Sequence, residues 1–148
     1  MFVYGCNNDS SPSNRYTERL FPYLLAQNAK NLFNFKKCQF AVQKQKLGTG
    51  RVAMWKTYKI LQSFTLEASF CGSNESKVDP FQYRISDLTC MGRHVVGSLY
   101  QLLLVNDDCH DPSCQDYQQA LMHKQRLKKL FDQNSDQTFT DYRFPSLI

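Results

Sequence analysis

The plainest alternation of apolar and polar positions lies in residues 58–70. Phe64, Leu66, Ala68 and Phe70 share one side of an extended segment, and Ser63, Thr65, Glu67 and Ser69 share the other, because successive side chains of a strand point to opposite faces. The pattern predicts a strand with one face in the core and the other presenting a carboxylate among hydroxyls. Cys71-Gly72-Ser73-Asn74 ends it. A helical period runs through residues 86–104. There Leu88, Met91, Val95, Leu99, Leu102 and Leu103 recur at helical spacing, and Ser86 or Asp87 suits the N-cap. Residues 106–113 break that helix, and residues 116–131 predict a second, polar one. Nearer the start, residues 20–30 read as a short helix with Pro22 near its first turn, where a proline is tolerated. Residues 35–42 read as a strand, 47–50 as a turn and 51–57 as one or two helical turns. Residues 7–14 are turn formers and predict an exposed loop. From about Gln133 the tail has little apolar period and is expected to fray or extend.

Composition narrows the class. Hydrophobic residues at 42% and aromatics at 14% supply a core for one domain and argue against wholesale disorder. Eleven Phe and eight Tyr favour a sheet over a simple bundle. No apolar run is long enough to span a bilayer, and the opening residues lack the basic-then-apolar order of a secretory leader. Cys6, Cys38, Cys71, Cys90, Cys109 and Cys114 are scattered, most of them within apolar patterns. They therefore read as reduced, buried thiols of a cytosolic or nuclear protein. Net charge is a modest +5 but unevenly placed. Between Glu18 and Glu67 there is no acid, while nine of the 18 basic residues fall there. One sign of charge over one segment favours an anionic partner; the plainer alternative is a solvated face balanced by acids elsewhere.

Few residues offer chemistry by spacing alone. A catalytic zinc needs about three protein ligands, and His94, His110 and His123 stand in no His-x-x-Glu or His-x-x-x-His arrangement. Cys109, His110 and Cys114 lie near one another without an obvious fourth ligand, so no metal site is assigned. There is no Gly-x-Ser-x-Gly elbow. Cys71 has no histidine placed to activate it, and Gly48-Thr49-Gly50 is too short for a phosphate loop. Basic and aromatic residues interleave from Phe33 to Tyr58, as a nucleic-acid binder could use. Those aromatics fit strand-core positions equally well, and nucleic acid is a distant option. Glu67 stands out as the one acid between Arg19 and Asn74. On spacing alone it reads as the partner of a nearby lysine.

A resemblance changes that weighting. Ser63-Phe64-Thr65-Leu66-Glu67 resembles the Ser-aromatic-Thr-x-Glu strand of zinc carboxypeptidases. Gly48-Thr49-Gly50-Arg51-Val52-Ala53-Met54-Trp55 is similar to the Gly-Thr-Gly-Arg-Val-x-x-Trp segment of the cytosolic carboxypeptidase subfamily, and Tyr4-Gly5-Cys6 to its Tyr-Gly-Cys strand end. The motifs follow in order over roughly residues 1–104. The resemblance implies an α/β fold, part of a mixed-sheet zinc-carboxypeptidase fold with flanking helices, truncated on its N-terminal side. Residues 1–105 would be the C-terminal part of the catalytic domain, and 106–148 a polar helical extension, partly disordered. It implies that Glu67 is the catalytic general base acting on a zinc-bound water. It implies that Arg51 reads the substrate side chain, since a guanidinium fork suits a glutamate carboxylate. The subfamily trims glutamates from acidic protein tails, tubulin above all, in the cytoplasm. Its zinc ligands and the residues holding the substrate's terminal carboxylate belong to segments preceding Met1 in family order. The expectation is therefore a fragment, an isoform or a degenerate paralogue, inactive alone. The runner-up is a non-catalytic domain that binds an acidic partner.

Overall fold

The computed structural model describes residues 1–8, 16–69, 71–73, 81–106 and 111–132. Most of the predicted loop at 7–14, Phe70, the Cys109 and His110 pair and the tail from Gln133 lie outside these residues.

Helices dominate. α1 (Thr17–Asn28) is the central element, with Leu20, Phe21, Tyr23, Leu24 and Leu25 all buried. It begins earlier than the sequence predicts, so Pro22 lies inside the helix rather than near its first turn. α2 (Gly50–Tyr58) is short and ends on Lys59 in the left-handed conformation. α3 (Ile85–Asn106) and α4 (Gln115–Asp132) pack against each other and against α1. Met91 and Leu102 of α3 and Leu127 of α4 join the α1 side chains and Val3 in one apolar cluster. The Lys124 ammonium on α4 donates to the Val105 carbonyl at 3.0 Å, supplying a partner and a positive charge where the end of α3 leaves carbonyls unpaired.

The start of α3 differs from expectation in an instructive way. Neither Ser86 nor Asp87 is the N-cap. Arg84 occupies that place, its carbonyl accepting from Leu88 N at 3.2 Å. Asp87 sits in the first turn and reaches back to accept from Arg84 N at 2.8 Å, which is the return arm of a capping box. The buried face is also rotated. Ser98 and Gln101 face inward because the Asn28 amide donates to Ser98 Oγ at 2.8 Å and to Gln101 Oε1 at 2.9 Å. Leu88, Leu99 and Leu103, expected in the core, are 48%, 44% and 65% exposed, as are Ile85 and Val96 at 84% and 67%. With apolar residues on more than one side of α3, periodicity alone cannot choose the inner face.

Extended structure is sparse. β1 (Phe2–Tyr4) pairs antiparallel with β2 (Thr65–Glu67), placing Phe2 opposite Glu67 and Tyr4 opposite Thr65. On the other edge of β1, Gln39 makes a parallel bridge to Tyr4, with Gln39 N donating to Val3 O at 3.0 Å and Gly5 N to Gln39 O at 2.8 Å. This mixed pairing is compatible with an α/β class, on a much smaller sheet than expected. The strand predicted at 35–42 is replaced by a 3-10 turn at Phe35–Lys37, because the Asn34 side chain accepts from Lys36 N at 2.8 Å and closes the turn. The strand predicted across 58–70 shrinks to three residues. Its apolar face is not core: Leu66 is 42% exposed. Among the described residues of that face, Phe64 alone keeps the expected role, packing 5.3 Å from the Phe21 ring. β3 (Gly72–Ser73) and β4 (Phe81–Gln82) form a second small hairpin pair.

Candidate functional site

Helix α2 is positioned by a few contacts. Val52 is fully buried. Arg51 and Trp55, four residues apart and so on one face, both reach the segment that leaves β1. The Arg51 Nη1 group donates to the Gly5 carbonyl and lies 3.3 Å from Cys6 Sγ. The Trp55 indole N–H donates to Asn8 Oδ1 at 2.7 Å, and Asn8 Nδ2 donates to the Leu61 carbonyl at 3.2 Å. Ser63 Oγ closes the circuit by donating to the Arg51 carbonyl at 2.9 Å. Helix α2, the β1 exit and the approach to β2 are thus bound to one another by polar contacts around a buried Asn8.

Gly5 has no room for a side chain. A Cβ there would stand 2.6 Å from Phe40 Cδ1. Phe40 is buried and has the Arg19 guanidinium over its ring, 4.5 Å from the centroid, so it cannot easily yield.

This framework builds a cavity of about 320 Å³. Phe2, Tyr4, Thr65 and Glu67 line it from the paired strands, Lys46 from a second 3-10 turn at Lys44–Lys46, and Arg51 from α2. The two residues singled out in the sequence, Arg51 and Glu67, therefore share one pocket. The Arg51 guanidinium carbon stands 5.9 Å from the Tyr4 ring centroid, within cation–π range. Glu67 is exposed, and among the described residues it forms no ion pair. The lysine pairing that spacing alone suggests is thus not made there. Two cations and one carboxylate line one cavity, which suits an anionic ligand presented to a carboxylate base.

No histidine or cysteine among the described residues lines this pocket. Among the described residues no three His, Cys, Asp or Glu side chains converge as a metal site would require. The described residues do not fit a zinc ion. His94 lies 3.3 Å from Cys90 Sγ on α3, both half-buried, while His123 is buried against Tyr23, with ring centroids 6.2 Å apart. The five cysteines of the described residues are free. Cys6 is buried, which pushes its thiol up despite the opposing pull of Arg51. Cys38 is pushed up to about 12 by burial. Cys71, expected to be buried, is exposed.

Sequence reasoning alone did not single out Cys6, Asn8 or Lys46 as parts of the site. Their roles depend on β1 meeting α2 across more than forty residues, and the signal present was the Tyr-Gly-Cys-Asn run itself.

No family profile matches the chain. Individual proteins do. It is 40% identical over 132 residues to mouse cytosolic carboxypeptidase 3, covering 87% of this chain and 12% of that protein. It is 40% identical over 127 residues to cytosolic carboxypeptidase 2 of Xenopus tropicalis, covering 86% and 12%. Human cytosolic carboxypeptidase 2 is 39% identical over 139 residues, covering 94% and 14%, so the likeness continues past Leu104, where the recognisable motifs stop. The class these matches define is that of the carboxypeptidases, a hydrolase family. Within it, the chain belongs to the cytosolic carboxypeptidases. It spans between 12% and 14% of the length of these relatives. Among the described residues, no helix is long and apolar enough to cross a membrane.

Proposed function

We propose that this chain supplies the specificity pocket and the general base of a zinc-dependent carboxypeptidase. The enzyme would remove C-terminal or side-chain-linked glutamates from acidic protein tails such as tubulin's, in the cytoplasm. The observation that carries the reading is that Arg51 and Glu67 line the same cavity. In this role the Arg51 guanidinium pairs with the carboxylate of the departing glutamate. Glu67 takes a proton from the attacking water and passes it to the leaving amine. The acid-free basic segment around the pocket, with Lys44, Lys46, Lys56 and Lys59 exposed, supports a polyanionic substrate, because a field of one sign raises the local concentration of the other. Zinc would be held by residues other than those described, and the chain alone would be inactive.

The test is kcat/KM of Arg51→Ala and Glu67→Gln in a polypeptide that carries the zinc-binding segments, on peptides ending in Glu and in Leu. Losing a desolvated bidentate ion pair costs about 2–5 kcal/mol, roughly 30-fold to several thousand-fold. Arg51→Ala should lose that much on the Glu series and little on the Leu series. Glu67→Gln should abolish turnover of both while leaving binding largely intact. Equal losses on both series for Arg51→Ala would make Arg51 a structural residue.

A second reading, a non-catalytic domain that holds an acidic tail, is favoured by the lack of converging metal donors among the described residues. Under it, Glu67→Gln would strengthen binding of glutamate peptides, by removing a like charge, and even the polypeptide with the zinc-binding segments would leave them uncut.

A further inference from the structure

We propose that Cys6 is a positioning residue for Arg51, holding the guanidinium at the pocket wall with a neutral acceptor so that its whole charge stays available to a bound carboxylate. The inference rests on the reading that Arg51 recognises a glutamate side chain.

Arginine is long and flexible, and a single anchor leaves its fork free to swing. Here one terminal nitrogen is held twice, by the Gly5 carbonyl and by Cys6 Sγ at 3.3 Å. Both acceptors come from consecutive residues at the end of β1. The backbone there is fixed on two sides: Gly5 N donates to Gln39 O at 2.8 Å, and Phe40 lies against the Gly5 Cα. Cys6 itself is fully buried, so its sulfur has one place to be. Holding Nη1 in this way leaves the remaining N–H groups of the fork for a ligand.

The chemical type of the anchor matters. An arginine buried beside a carboxylate would be held more strongly, but its charge would already be matched, and a second carboxylate would gain little. A carbonyl and a thiol orient without neutralising. Burial keeps the Cys6 thiol protonated, even with Arg51 beside it, so the contact does not turn into a thiolate–guanidinium pair at neutral pH. Sulfur is a weak acceptor, which suits an anchor meant to guide rather than to compete.

The experiment uses the 148-residue chain, with tri-glutamate and Glu-Glu-Leu peptides titrated by calorimetry. Variants are Cys6→Val, which keeps bulk and removes the acceptor, Cys6→Ser, which restores one, and Arg51→Ala. The preference for the Glu-ended peptide should fall about two- to tenfold in Cys6→Val, the range expected for one modest hydrogen bond, and recover in Cys6→Ser. Equal weakening of both peptides in Cys6→Val would make Cys6 merely structural and overturn the proposal, as would an unchanged preference. Loss of the preference in Arg51→Ala is required by the underlying reading. If wild type shows no preference, that reading fails. The anchor is still tested by NMR of isotope-labelled arginine, where rotation of the Arg51 guanidinium should quicken several-fold in Cys6→Val and not in Cys6→Ser. Unchanged rotation in Cys6→Val would overturn the proposal by itself.

Discussion

Among single residues, His123 shows how burial turns a side chain into a condition on folding. Its ring packs on Tyr23 between α4 and α1, and Nδ1 is buried without a hydrogen-bond partner among the described residues. Its pKa is lowered from the ordinary 6.5, first by burial and then by the Arg126 and Lys30 charges. Both of those charges are positive, so neither compensates a proton there. The folded state therefore binds fewer protons than the unfolded one between its lowered pKa and about 6.5. Stability rises with pH across that window and is lost as pH falls through it. Urea midpoints measured at pH 7.5 and pH 5.5 should show the acid sample to be less stable. His123→Gln should shrink the difference, and an unchanged difference in that variant would place the effect on other groups.

At the level of elements, the polar circuit around Asn8 couples α2 to the end of β1. Asn8→Ala would leave the Trp55 indole N–H and the Leu61 carbonyl without their partner. Losing such bonds at half-buried groups costs about 0.5–1.5 kcal/mol, and the variant should lose about that much in denaturant unfolding. Gly5→Ala should cost ~1–3 kcal/mol by overpacking, since its Cβ would collide with a buried Phe40 ring that also carries the Arg19 guanidinium. The legibility of these elements in the sequence was uneven for physical reasons. α3 and α4 announce themselves because their periodic residues are numerous and local. The alternation at 63–70 finds Glu67 and its side of the strand, yet overstates the strand, because Thr65, Leu66 and Glu67 have partners in β1 and the other described residues of that segment do not. The turn at Phe35–Lys37 is set by the Asn34 side chain, a local competition that hydrophobic pattern does not register. Arg51 and Glu67 were found through motifs. That they share a cavity with Lys46 and Tyr4 could be known only once β1 was seen to run beside β2.

The molecule as a whole carries an unbalanced surface. One side of α3 presents Ile85, Leu88, Val96, Leu99 and Leu103 to solvent, and patches of this kind favour association. The isolated chain should elute from size-exclusion columns as more than a monomer and bind a hydrophobic dye, and Val96→Lys with Leu103→Lys should reduce both. A monomeric wild type that melts cooperatively without dye binding would contradict this. Calorimetric titration with zinc at neutral pH should find no tight one-to-one site, because no converging donor set exists among the described residues; nanomolar binding would show otherwise. A last consequence comes from Trp55, the one tryptophan in the chain. Its indole is tied to Asn8 at the edge of the candidate site, so the intrinsic ultraviolet emission of the whole protein is the signal of a single, well-placed lamp. Separation of α2 from the β1 exit would bare that ring to water and shift its colour toward the red. Assembly of the pocket can therefore be followed in unlabelled protein, at concentrations low enough to keep the apolar side of α3 from finding a second copy.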